Sequence, residues 1–480
     1  MKRPLLSICI PTMNRVKLLE IGLQNLLSET DALGEDVEVV VTDNGSNEDV
    51  EELVRRMSPR IRFGRLEKSQ VFPRSIMFGP REIATGEYTW IIGDDDLVVR
   101  GSVRRIVDFL KCHPDLEYVY LNHGWLPIET RNRRILEFDS RLPEEPSVFQ
   151  CVDPTSRVLN RFEDLIPLAN TSPYAMFSTI FCYISKRRLY LDHADLIHPL
   201  DEWDDRIQTL DNMFPHSKLT MTVYAGKPVG YIGEPCFAQG SYHQESKTWI
   251  FKTMIYGSSL LFAWLEETRF DKEVLKVLWE ALAHMAGRVM VRLLDNPDEH
   301  FGQDIVREKA LPLLVKHPCF LEGLYAEARD YAICDYEARW LAAHSKAVVE
   351  QLGIKDARLA IWGVRGRGWM ICKHDAWCRK HAVAVVDKAS GLHGDKLAYT
   401  DRLIEDPAVI AERRIDVLIV ATRWEVIPKV FAEAMALVQD GTALVSLGGC
   451  KQVVQGELHP LVVEACLSLT ALGLPARPDI

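Results

Sequence analysis

The run Gly86-Glu-Tyr-Thr-Trp-Ile-Ile-Gly-Asp94-Asp95-Asp96-Leu97 limits what this chain can fold into more than any other stretch. Residues 88–92 are aromatic or β-branched and read as a short buried strand, so three successive carboxylates stand at its C-terminal end. Adjacent anions at the mouth of a core strand repel one another and lose hydration, which is costly unless a cation completes the arrangement. Mg2+ or Mn2+ takes oxygen ligands and commonly keeps a substrate phosphate in its shell. The stretch therefore points to a metal that grips a phosphorylated substrate. The simpler alternative is a capped turn, with Asp96 as N-cap of a helix over 103–110.

Alternation of strand, loop and helix gives this run its setting. Residues 5–10 are apolar with β character and end in Pro11-Thr-Met-Asn14-Arg15, and residues 16–27 have helical spacing. The pattern repeats with a strand over 37–41, the turn Thr42-Asp43-Asn44-Gly45-Ser46 and a charged helix over 48–57. Such alternation predicts an α/β fold with a mostly parallel sheet covered by helices. Ligands of open sheets gather beyond the carboxyl ends of the strands, which puts loops 11–15, 43–46 and 94–96 along one rim.

At 480 residues the chain is expected to hold two or three domains. Its formal charge of -11 argues against a general nucleic-acid binder, whose phosphate contacts need an excess of Lys and Arg. No run of eighteen apolar residues occurs, and Met1-Lys-Arg-Pro leads directly into a strand. The expected setting is the cytoplasm, at most against the inner face of a membrane. Eleven scattered cysteines suit a reducing compartment. Cys372 and Cys378 flank His374 without the spacing of a zinc site and read as helix packing.

Taken together, Leu6-Ser-Ile-Cys-Ile-Pro-Thr-Met-Asn-Arg15, Val39-Val-Val-Thr-Asp-Asn-Gly-Ser46 and the acidic run resemble, in order and spacing, the family-2 glycosyltransferases of GT-A fold. Within them the likeness is to abequosyltransferase-like members that build bacterial surface polysaccharides. It covers an opening domain, residues 1–246. The resemblance implies that Pro11, Thr12, Asn14, Arg15 and Asp43 hold the base and ribose of a nucleotide-diphosphate sugar donor. A carboxylate can accept from a base N–H or a ribose hydroxyl, and Arg15 can pair with phosphate. The plain alternative is an Asx turn at 43–46 and a solvated Arg15.

By the same resemblance Asp94 and Asp96 form a DxD element, with Asp95 between them, that faces the donor and binds Mg2+ or Mn2+ bridging its diphosphate. Arg74 or Arg81 is the candidate basic residue near the diphosphate, in a stretch whose prolines break the usual helix pattern. His243 resembles the His or Arg that returns to metal or diphosphate from the end of the domain, and imidazole suits either role. Inverting transfer needs a carboxylate base for the acceptor hydroxyl. Asp211, in Asp211-Asn-Met-Phe-Pro-His216, matches that position, and an N-cap is its structural alternative. His216 is either a lining residue of the acceptor pocket or a core histidine. The implied acceptor is a saccharide, free or lipid-linked, and Pro143-Glu-Glu-Pro146 reads as part of a loop or lid on its side.

Residues 247–355 read as helical. Val274, Leu278, Leu282, Met285, Val289 and Leu293 mark one amphipathic face, and further helices are expected over 305–315 and 321–351. Lys272, Lys276, Arg288 and Arg292 offer charge to an anionic membrane, although a solvated helix face accounts for them more simply. Residues 356–480 read as a Rossmann-like domain: a strand over 359–362, the turn Gly363-Val-Arg365-Gly-Arg-Gly368 into a helix, a second strand ending at Asp387, and another over 415–421. Arg365 replaces the middle glycine of G-x-G-x-x-G, which normally lets a pyrophosphate approach the backbone. A structural or docking role is thus expected, with Arg365 as an alternative phosphate contact. The tail from Gly456 is expected to form a last helix.

The expected function is metal-dependent, inverting transfer of a sugar from a nucleotide-diphosphate donor to a saccharide acceptor in surface polysaccharide synthesis. Competing readings are a nucleotide-sugar oxidoreductase or epimerase centred on residues 363–387, a non-catalytic sugar-nucleotide-binding scaffold, and metal-dependent nucleotidyl transfer.

Overall fold

The computed structural model describes residues 3–125, 148–169, 173, 176, 179–199, 209–239, 250–295, 306–389, 392–394, 397 and 400–463. The chain divides into two compact units, Met1–Tyr325 and Ala326–Ile480. The α/β class expected from the alternation is what both contain.

In the first unit the strands are β1 (Leu6–Thr12), β2 (Val37–Asp43), β3 (Arg62–Arg65), β4 (Tyr88–Ile91), β5 (Leu97–Val98), β6 (Tyr118–Trp125), β7 (Val148–Phe149), β8 (Arg157–Leu159), β9 (Tyr183–Lys186) and β10 (Val229–Gln239). They form one sheet in the order β3-β2-β1-β4-β9-β6-β10-β5, with β7 paired to β6 and β8 to β10. The four strands β3, β2, β1 and β4 are parallel, so their carboxyl ends share one rim. β9 enters antiparallel between β4 and β6. Six of the seven residues of β1 are buried, as a central strand covered on both faces requires.

Helix α1 (Val16–Thr30) lays Leu19, Leu23 and Leu26 into the same core as Ile8, Ile10 and Trp90. Asn25, on the same helix, is buried, accepts from the amide of Val98 at 2.8 Å and donates to its carbonyl at 3.4 Å. α2 (Val50–Met57) is capped by Asp49, which accepts from the amide of Glu52 at 2.9 Å. The prolines near α3 (Phe72–Phe78) do not break it, contrary to expectation. Pro73 sits in the first turn, where no N–H is needed, and Pro80 falls in the wider turn Gly79–Ile83 that follows. α4 (Ser102–Cys112) starts after Gly101 at φ 75°, so Asp96 is not its cap.

Of the helices expected after residue 247, those before Tyr325 pack in this unit, whereas Ala338, Trp340 and Leu341 of the helix Pro318–Gln351 belong to the core of the second. Leu275, Leu278 and Leu282 of the helix Lys272–Asp295 join the core, as does Phe320. A Cβ at Gly287 would overlap the carbonyl of Phe320, and one at Gly323 that of His284, so the two glycines let these helices approach backbone to backbone. Among the described residues no helix is long and apolar enough to cross a membrane.

The second unit carries β11 (Leu359–Trp362), β12 (Ala382–Val386), β13 (Ile404–Glu405), β14 (Val417–Val420), β15 (Ala443–Ser446), β16 (Gly449–Val454) and β17 (Glu457–Leu461). Their order is β13-β12-β11-β14-β15-β16-β17, five parallel strands followed by two antiparallel ones. The parallel part has the doubly wound order and is compatible with the Rossmann-like expectation. Cys372 and Cys378 are buried in its core. Where the tail from Gly456 is expected to be helical, its described part is a hairpin: Gln455 and Gly456 take φ of 53° and 79°, the paired positive values of a tight turn between strands, and β17 follows, the residues after 463 lying outside the described ones.

Candidate active site

The first loop leaves β1 through Thr12 and reverses at Asn14, a non-glycine residue at φ 54°. Its amide donates to Ser46 Oγ at 2.8 Å, and its side-chain oxygen accepts from the amide of Asn47 at 2.8 Å. The amide of Asn44 donates to the carbonyl of Thr12 at 2.9 Å. Asn44 also pairs with the backbone of Gln70 through both ends of its carboxamide, at 3.0 and 2.8 Å. Gly45 lies at φ 71°, and a Cβ there would stand 2.7 Å from the amide nitrogen of Ser69. The loops after β1, β2 and β3 are thus laced into one rim, with Pro11 still paired to Thr42 inside the sheet.

Asp43 is fully buried. One carboxylate oxygen accepts from the amide of Ser46 at 2.9 Å, the turn bond weighed as the plain alternative. The other lies 2.9 Å from Arg65 Nη1, in ion-pair range but not aligned as a hydrogen bond. Arg65 Nη2 meanwhile donates to the carbonyl of Ser46 at 2.7 Å. Arg65 carries no signal in the local sequence, because β3 is only half buried. The register that pairs Asp43 with Arg65 is the signal that identifies it.

Asp94 is the buried centre of the acidic run. Thr12 Oγ1 donates to its Oδ2 at 2.7 Å, and Arg15 Nη1 lies 3.1 Å from Oδ1. Burial, then the charge of Asp95, push its carboxyl up to about 6, against the opposing pull of Arg15 and Thr12. Asp96 is also buried, and its Oδ2 accepts from the amide of Gly93 at 2.9 Å, closing the turn on itself. Asp95 is half-buried.

Two glycines make room for this turn. A Cβ at Gly22 of α1 would stand 3.0 Å from the carbonyl oxygen of Asp94. One at Gly93 would lie 2.8 Å from Asp96 Oδ2 and 3.0 Å from Asp95 Oδ1. Gly93→Ala must therefore turn those two carboxylates, and it is expected to weaken divalent-ion affinity by ~10- to ~100-fold without unfolding the domain. Calorimetric Mn2+ titration of the variant beside its melting curve checks this.

Arg74 and Arg81 line a cavity of about 370 Å³ with Gln70, Met77, Ile197 and Pro199, among others. Asp211 sits in the short helix Leu210–Met213, whose cap is Thr209 and not Asp211. Its Oδ1 lies 2.6 Å from Lys218 Nζ, and its Oδ2 accepts from the amide of His198 at 3.0 Å. That helix packs on α3, and the His216 ring, 3 % exposed, lies among Phe72, Tyr183 and Phe214. His243 and the loop 143–146 lie outside the described residues.

In the second unit Gly363, at φ 96°, ends β11 against Ala421 and Thr422, and a Cβ at Gly368 would overlap the carbonyl of Gly363. Asp387 accepts from the amides of Val364 at 3.1 Å and Ala389 at 2.9 Å. Its carboxylate thus already occupies the first amide of the turn. The Arg365 side chain lies outside the described residues.

The residues present suit a divalent ion. Carboxylates crowded on one turn are hard donors, and burial followed by the charge of Asp95 raises the Asp94 carboxyl, so a cation there would be favoured. Among the described residues no group of three His, Cys, Asp or Glu side chains is arranged to hold a metal alone. Mg2+ or Mn2+ takes one or two carboxylates and completes its shell with water and phosphate, so Asp94 and Asp96 are the side chains that would hold such an ion.

A family model described as glycosyl transferase family 2 matches residues 7–147. The abequosyltransferase RfbV of Salmonella typhimurium is 29% identical over 115 residues, 23% of this chain and 34% of that protein. The validoxylamine A glucosyltransferase of Streptomyces hygroscopicus subsp. jinggangensis is 49% identical over 59 residues, 12% of this chain and 14% of that one. The chain therefore spans only a minor part of either relative. Among solved structures, the mannosyltransferase PcManGT from Pyrobaculum calidifontis in complex with GDP-Man and Mn2+ aligns at 17% identity. It covers 68% of this chain and 85% of that one, with a TM-score of 0.40. S. aureus TarS 1–349 in complex with UDP-GlcNAc aligns at 15% identity, over 58% and 72%, with a TM-score of 0.38.

Proposed function

We propose that this protein transfers a sugar from a nucleotide-diphosphate donor to a saccharide acceptor, a reading supported by the match of residues 7–147 to the glycosyl transferase family 2 model and by the α/β sheet of the first unit. The observation that carries the reading is Asp94, buried and held by Thr12 and Arg15 at the junction of the laced loops, with Asp95 and Asp96 beside it.

Asp43, buried and fixed by Ser46 and Arg65, would hold the rim on which Pro11, Thr12 and Asn14 receive the base and ribose. Asp94 and Asp96 are the residues that would hold Mg2+ or Mn2+, and a bound ion would supply charge to stabilise the departing diphosphate. Arg15 lies within reach of Asp94 and is free to share its guanidinium with phosphate. Arg74 and Arg81 add positive charge through the cavity they line together. Asp211 takes the proton of the acceptor hydroxyl as it attacks in line, which inverts the anomeric centre. The acceptor we propose is a saccharide, free or lipid-linked, of a surface polysaccharide.

A panel of UDP-, GDP-, CDP- and dTDP-sugars, screened for hydrolysis and for binding with and without Mn2+, tests this reading. Turnover of at least one donor, dependent on divalent ion, is expected. Absence of both binding and turnover across the panel would remove the proposal.

A further inference from the structure

We propose that Lys218 is a positioning residue, the group that aims Asp211 at the acceptor hydroxyl. The inference rests on Asp211 as the acceptor-side base. Thr209 caps the helix Leu210–Met213, its hydroxyl accepting from the amide of Asn212 at 3.2 Å, so the Asp211 carboxylate is not consumed as a cap. It is gripped at two points instead. Oδ1 meets Lys218 Nζ at 2.6 Å, and Oδ2 meets the amide of His198 at 3.0 Å. Each carboxylate oxygen can accept twice, so two bonds fix the plane of the group and leave a lone pair on each oxygen for a substrate proton.

Lys218 is built for that single task. It stands in the helix Pro215–Tyr224, is 7 % exposed, and has its ammonium 4.4 Å from the ring centre of Trp264. The indole is itself fixed by donation to Thr222 Oγ1 at 3.2 Å. A lysine on a flexible four-carbon stem loses conformational freedom when buried, and its charge needs a partner. The aromatic face and Asp211 supply that partner and hold the ammonium in one place. Bracing of this kind matters for a base because misplacement by about 1 Å costs as much as ~10²-fold in rate.

The test measures hydrolysis of whichever UDP-, GDP-, CDP- or dTDP-sugar the protein turns over with Mn2+, with water as the acceptor. Lys218→Met is expected to lower kcat by ~10- to ~100-fold while donor KM stays within about twofold, and Lys218→Arg to regain most of the loss. The double variant Asp211→Asn, Lys218→Met is expected to be no slower than Asp211→Asn alone, because the lysine has nothing left to aim. Removing both charges also leaves no unpaired buried ion, so its melting curve controls for folding. Multiplying losses in the double variant overturn the role of Lys218 and leave the base in place. So does unchanged kcat in folded Lys218→Met beside an impaired Asp211→Asn. Asp211→Asn turning over like the wild type overturns the base and this inference together.

Discussion

Replacing Asp96 by Ala is expected to lower divalent-dependent donor turnover by ~10²-fold or more, the order set by losing a direct contact to the ion that carries the leaving-group charge. Asp96→Ala also removes the acceptor for the amide of Gly93, so part of any loss would come from a loosened turn. Asp96→Asn separates the two effects. Its side-chain oxygen still accepts from Gly93, yet its charge is gone. If both variants fall equally while their melting curves stay near that of the parent, charge at this position is what matters. Unchanged turnover in Asp96→Asn would sink the assignment of the acidic run to the donor site.

The second large effect is on stability, and its sign follows from Asp94. In the folded protein its carboxyl lies at about 6, whereas an unfolded chain gives ~3.9. The folded state therefore binds this proton more tightly. The contribution is fully present below pH ~4 and is lost as pH rises through about 6, of order 3 kcal/mol in all. A divalent ion acts in the opposite direction, because it binds the anion and competes with the proton. Saturating Mn2+ is expected to raise the melting midpoint of the first unit by several degrees at pH 7.5 and by much less at pH 5. Asp94→Asn should flatten that difference. Differential scanning calorimetry at the two pH values, with and without Mn2+, makes the measurement. An equal Mn2+ shift at both would contradict the account.

Much of the rim was legible beforehand because parallel strands buried on both faces leave long apolar runs. β1, β2 and β4 announce themselves this way, and the polar residues that follow each must then stand together. The partners of those residues were not legible. Arg65 reaches Asp43 only through the pairing of β2 with β3, a register that local pattern does not fix. Lys218 lies on an unremarkable helix, and its burial depends on Trp264, which comes from a later helix. The prolines in and just after α3 misled for a related reason. Their effect depends on which turn of the helix they occupy, and sequence locates helix starts poorly. The hairpin ending in β17 shows the converse, since a short polar run with Gln455 and Gly456 carried little periodicity of either kind.

The carboxamide of Asn25 has a further consequence. β5 closes one end of the larger sheet, and a terminal strand ordinarily offers unsatisfied main-chain groups to any neighbouring polypeptide. By occupying both the donor and the acceptor of Val98, one side chain imitates the missing neighbour. β5 is thus closed to a further strand at Val98, with no extra element of structure spent on it.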